Sequence, residues 1–149
     1  MRKQTYGIEL QINKNLFRLS VFVTIVAVGM MLAGFFARGG FPTTKIGAFY
    51  IGVLFIYSMH KEALRWIGGK NIQKGERKGE YFLYLWIILA TLLYLINFLT
   101  KDYFVFDSQG NQLSSLAEIT LTALEVCGVF IFARIAKAVF SVVYSGDNK

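Results

Sequence analysis

Residues 60–80 read HKEALRWIGGKNIQKGERKGE. This is the one long charged stretch in the interior of the chain. An apolar run ending IGVLFIYSM precedes it, and another, YFLYLWIILATLLYLINFLT, follows it. Six basic residues, Lys61, Arg65, Lys70, Lys74, Arg77 and Lys78, stand against Glu62, Glu76 and Glu80. A basic segment between two apolar runs is expected to be a cytoplasmic loop joining two membrane spans, since Lys and Arg are retained on the cytoplasmic side. With this loop inside, the orientation of the rest of the chain follows.

Working outward, residues 81–100 form twenty positions without a charge, with Tyr81, Phe82, Tyr84 and Trp86 clustered at the loop end as an aromatic belt. Residues 46–59 on the other side are shorter, roughly 21 Å of helix at ~1.5 Å per residue. A span is still predicted there, because the helical pattern runs on through Ala63, Leu64 and Ile67 to a Gly68-Gly69 stop. Residues 19–37 are charge-free between Arg18 and Arg38 and cover roughly 28 Å, close to the ~30 Å of bilayer hydrocarbon. Gly39, Gly40 and Pro42 mark a short turn between these first two spans. Tyr6, Ile8, Leu10 and Ile12 alternate near the N-terminus, which points to a short extended piece or a loose amphipathic lead.

Beyond the third span, residues 101–115 (KDYFVFDSQGNQLSS) combine interfacial aromatics with the turn residues Asp107, Gly110 and Asn111, the pattern of a small hairpin or an aromatic surface loop. Ser115-Leu116-Ala117-Glu118 has the form of a helix N-terminal capping box. The helix it opens runs to about Tyr144, with Arg134, Lys137 and Ser141 as one polar stripe on its far end.

The expected fold is therefore an all-α, polytopic four-transmembrane-helix bundle with both termini inside. The spans lie at about 17–38, 43–60, 81–100 and 115–135, with a basic cytoplasmic loop over 60–80 and an outer loop over 101–115, all in one domain. So drawn, only Arg38, Lys45 and Lys101 of the 16 Lys and Arg fall outside. Composition agrees: 55% of the 149 residues are hydrophobic and 17% charged, where a soluble domain carries about 25%. The net charge of +7 sits at the ends of apolar runs, which favours anionic lipid over nucleic acid as the partner. Lys70, Lys74, Arg77, Lys78, Arg134 and Lys137 are the candidate contacts. The expected location is the plasma (inner) membrane.

Chemistry is sparse. One cysteine, Cys127, and one histidine, His60, allow no internal disulfide and no Cys/His zinc set, so no metal and no cofactor are predicted. Nucleotide-binding, zinc-protease and nucleophile-elbow motifs are absent, so an enzyme is not expected. The residue that stands out is Glu125, near the middle of the fourth span. A charge there costs ~2.5–3.5 kcal/mol or more to insert and raises a functional question by itself. Glu118, Thr122 and Glu125 share a helix face at i, i+4 and i+7. Across an antiparallel third span, Asn97 and Thr91 match the depths of Glu118 and Glu125. Glu125 hydrogen-bonded to Thr91 or Tyr94 would simply join two helices.

Two function classes follow. In the first, the chain is a small non-enzymatic scaffold or subunit of a membrane assembly, a homo-oligomer or part of a larger complex, acting through helix packing. In the second, several copies form a small channel, transporter or holin-like pore with Glu125 lining the pathway.

Overall fold

The computed structural model describes residues 2–38, 40–41, 45–68, 79–107 and 109–146. Four helices account for most of them: α1 (Arg2–Phe36), α2 (Ile46–Gly68), α3 (Glu80–Leu99) and α4 (Ser115–Gly146). They form an all-α four-helix bundle. α4 packs against α2 and α3 and more lightly on α1, and α1 packs on α2. Successive helices run in opposite directions, so α2 and α4 are parallel. One end of the bundle holds the end of α1, the start of α2, the end of α3 and the start of α4. The other holds the start of α1, the end of α2, the start of α3 and the end of α4.

Three helical stretches are long and apolar enough to cross a membrane: Gly7–Phe36, Glu80–Leu99 and Ser115–Ala136. No more than 39% of any of these is buried inside the bundle, and the residues left outside are largely Leu, Ile, Val and Phe. Apolar surface on that scale belongs in lipid, and it indicates a multi-pass membrane protein. α2 is not of this kind. Its apolar run stops at Met59, and His60, Lys61 and Glu62 follow within the same helix.

The N-terminal alternation does not produce an extended piece. Residues 2–36 are one helix, and Ile8, Leu10 and Ile12 are all exposed on it. With no proline and no sheet edge to pair with, the helix of the apolar run propagates backward, since each added residue gains a backbone hydrogen bond once a helix exists. At ~1.5 Å per residue α1 and α4 measure roughly 52 and 48 Å, so both project past a ~30 Å hydrocarbon layer at the same end. There Glu9 of α1 lies 3.7 Å from His60 of α2, and Glu62 is buried. His60 is thus held between α1 and α2.

The core is aromatic. Phe35, Tyr50, Leu54, Trp86, Ile119 and Val126 are fully buried. Phe17 meets Phe82 with ring centroids 6.0 Å apart, joining α1 to α3. At the loop end Phe104 stacks on Phe35 at 5.1 Å and edges against Phe36 at 5.3 Å, which seats the α3–α4 loop on the end of α1. Arg38 fixes it there. Its backbone takes a left-handed φ of 48°, its guanidinium lies 3.9 Å over the Tyr103 ring, and it donates to the carbonyls of Phe106 and Asp107 at 3.1 and 3.2 Å. The loop itself is a small hairpin with an antiparallel bridge between Phe106 and Gln112.

Candidate functional site

α4 is the helix on which the site must be built, because it touches all three others. Its buried stripe runs through Leu116, Ile119, Ala123, Val126 and Ala133. One flank of the stripe faces α3. There the hydroxyls of Thr120 and Tyr94 are 2.9 Å apart, Phe130 lies against Gly79, and Arg134 pairs with Glu80. The other flank faces α2. Thr122 Oγ1 lies so near Gly47 that a Cβ there would come within 2.8 Å of it, and Phe132 meets the Phe55 ring at 6.1 Å.

Glu125 belongs to the α2 flank, three residues after Thr122 and one heptad before Phe132. It sits ten residues from one end of the apolar Ser115–Ala136 stretch and eleven from the other. Its side chain is half-buried, and among the described residues its carboxylate forms no hydrogen bond and no ion pair. The surface beside it is open. Ala48 and Gly52 of α2 and Gly128 of α4 are exposed, and a Cβ on either glycine would meet nothing within 4 Å. The outcome is a half-buried carboxylate midway along the apolar stretch, on the flank of α4 that faces α2.

The remaining candidates disperse. Thr91 is exposed and donates to the Ile87 carbonyl of its own helix at 2.8 Å, and Tyr94 is taken by Thr120, so neither pairs with Glu125. The rotation of α4, fixed by Thr122 against Gly47 and Thr120 against Tyr94, turns Glu125 toward α2. Asn97 is buried and donates to Asp102 Oδ1 at 2.7 Å, which closes the end of α3. Glu118 accepts from Ser114 at 2.9 Å, while Ser115 reaches the Gly34 carbonyl of α1 at 3.4 Å. The expected Ser115–Glu118 capping box does not form among the described residues, because each side chain is engaged elsewhere. Thr122 is a packing contact against Gly47. Arg134, expected at lipid headgroups, is exposed but paired with Glu80. Lys70, Lys74, Arg77 and Lys78 lie outside the described residues, as does the side chain of Lys137. Cys127 is half-buried with a free thiol.

A polar cluster at the centre of the bundle was not foreseen. The Trp86 indole donates to the Tyr50 hydroxyl at 2.9 Å, Tyr50 also hydrogen-bonds Thr24, and Thr24 donates to the Ser20 carbonyl at 2.6 Å. All four residues are buried. Trp86 thus leaves the belt formed by its exposed neighbours Tyr81 and Tyr84. A signal was present: Ser20, Thr24 and Ala27 form a small, weakly polar stripe at helical spacing on α1. Among the described residues no group of three or more His, Cys, Asp or Glu is placed to hold a metal ion.

No family model, no curated protein and no solved structure matches this chain.

Proposed function

We propose that the chain is a non-enzymatic subunit of a membrane assembly, acting through helix packing and without a cofactor. In this reading α2 is a fourth, shorter span, both termini are cytoplasmic, and the protein resides in the plasma (inner) membrane. Its basic end meets anionic lipid headgroups, not nucleic acid.

The single observation that carries the reading is the position of Glu125. It lies midway along the apolar Ser115–Ala136 stretch, half-buried, and among the described residues its carboxylate has no hydrogen-bond or ion-pair partner. A polar group at that depth must meet protein or water, not hydrocarbon. The core cannot receive it, because Tyr50, Leu54, Trp86, Ile119 and Val126 fill the interior. A neighbouring chain seated over the α2–α4 seam supplies the missing partner.

The same carboxylate, without a partner among the described residues, also supports a second reading, in which several copies surround a water-filled path lined by Glu125. Proton and monovalent-cation flux into proteoliposomes, with wild type and Glu125→Gln, separates the two. The packing reading predicts no flux from well-assembled wild type. Flux in wild type that disappears in Glu125→Gln would replace it with the pathway reading.

A further inference from the structure

The exposed side of α1 carries a seam that lipid alone does not account for. From Ile8, steps of four and three residues in alternation lead without a break to Phe36, and every position on the way is exposed. That is the 3.5-residue spacing at which two helices pack side by side over a long distance. No seam position is charged, and Asn15 is its one strongly polar side chain. Gly29 and Ala33 fall on it toward the loop end, where small side chains let helix backbones approach closely.

Between Leu19 and Phe36 an apolar outer face is what a bilayer requires. Ile8 and Ile12 are different. Phe17 packs on Phe82, and α1 and α3 run in the same direction, so the Glu80–Arg134 ion pair lies about level with Asn15. Ile12 and Ile8 stand roughly 4.5 and 10 Å beyond that ionic layer on the helical rise. They are 41% and 62% exposed there.

We propose that a second copy of this chain covers the seam, α1 against α1, parallel, about a two-fold axis normal to the membrane. Copies inserted in one orientation can pair only in this way about a closed axis. Parallel pairing sets each seam residue opposite its own counterpart. Asn15 then faces Asn15 of the other copy, and the two side-chain amides, each a donor and an acceptor, can bond across the seam. The proposal rests on the subunit reading above and names the partner for one face of it.

The test is disulfide trapping of the full chain in its native membrane, in a Cys127→Ala background. Single cysteines are placed on the seam (Ile8→Cys, Ile12→Cys, Asn15→Cys) and off it at exposed positions (Leu10→Cys, Lys14→Cys). Copper–phenanthroline oxidation is expected to give covalent dimer at the three seam positions and none at the other two. Equal trapping at all five, or trapping only off the seam, overturns the proposal. The mass of the wild-type particle separates the remaining outcomes. Two copies without seam trapping overturns the seam alone. One copy bound to a different chain overturns the second-copy partner and leaves the subunit reading standing. A lone chain overturns both.

Discussion

The indole nitrogen of Trp86 on α3 donates to the hydroxyl of Tyr50 on α2 at 2.9 Å, and neither side chain is exposed at all. Two helices without an extensive shared surface are thereby joined through the middle of the bundle. Buried donors left without a partner cost ~1–3 kcal/mol, although hydrogen bonds between membrane helices average only ~0.6 kcal/mol. Tyr50→Phe strands the indole N–H, and Trp86→Phe leaves the Tyr50 hydroxyl with Thr24 alone. Thermal unfolding in detergent of both single variants and the double variant should give a double-variant loss smaller than the summed singles by ~0.5–1.5 kcal/mol. Strict additivity would mean that the bond contributes nothing.

Gly47 sets the approach of α2 to α4. A methyl group there would come within 2.8 Å of Thr122 Oγ1 and 3.3 Å of Met31 Cε. Gly47→Ala is expected to destabilise the bundle by ~1–3 kcal/mol through overpacking. Adding Thr122→Ala removes the hydroxyl and should recover most of the loss. Gly52→Ala, where nothing lies within 4 Å, should be neutral or slightly stabilising, since Ala favours helix over Gly by ~1 kcal/mol. Unfolding midpoints of the four proteins check this.

In the α3–α4 loop, the Asn111 side chain and its backbone N–H hold the Asp107 carboxyl below its ordinary range, with backbone N–H groups of Gln109 and Gly110 assisting. Because the folded-state pKa is the lower one, the contribution of Asp107 to loop order is complete above the ordinary value of ~3.9. It is lost as pH falls through the depressed folded value. The hairpin should therefore stay closed at pH 5 and loosen only in stronger acid. The amide signals of Gln109 and Asn111, followed by NMR in detergent, should titrate below ~3.9. In Asp107→Asn that acid titration should vanish. A transition above pH 5 would contradict the assignment.

The proposed orientation makes a labelling prediction. In a Cys127→Ser background, Ser108→Cys should react with an impermeant thiol reagent on intact cells, and Gln73→Cys only after lysis. The reverse pattern would invert the bundle in its membrane and undo the charge argument.

The long helices were legible because charge-free runs admit few alternatives, and Gly40, whose N–H donates to the Ala37 carbonyl, and the hairpin residues Asp107 and Asn111 announced themselves by type. What stayed hidden was of three kinds. Rotation is one: depth placed Glu125 beside Thr91, but only the Thr122–Gly47 and Thr120–Tyr94 contacts reveal which flank of α4 meets which helix. Cooperativity is another: Tyr6, Ile8, Leu10 and Ile12 alternate like a strand, yet the adjoining helix runs through them. Long-range clasps are the third. Nothing local says that Arg38 will adopt a left-handed backbone to reach carbonyls 68 and 69 residues away. α2 falls between, because its apolar face and its charged end share one continuous helix.

The central claim is that this chain is completed by neighbours, with Glu125 meeting one of them. The most direct measurement is the mass of the particle released intact from native membranes, for wild type, Glu125→Gln and Glu125→Ala. The account predicts a wild-type particle of more than one chain. It predicts the same particle for Gln, which keeps the shape and hydrogen-bonding capacity of the side chain, and a weakened or dissociated one for Ala, which leaves a void and strands the partner group. A wild-type particle holding a single copy and no other chain would contradict it.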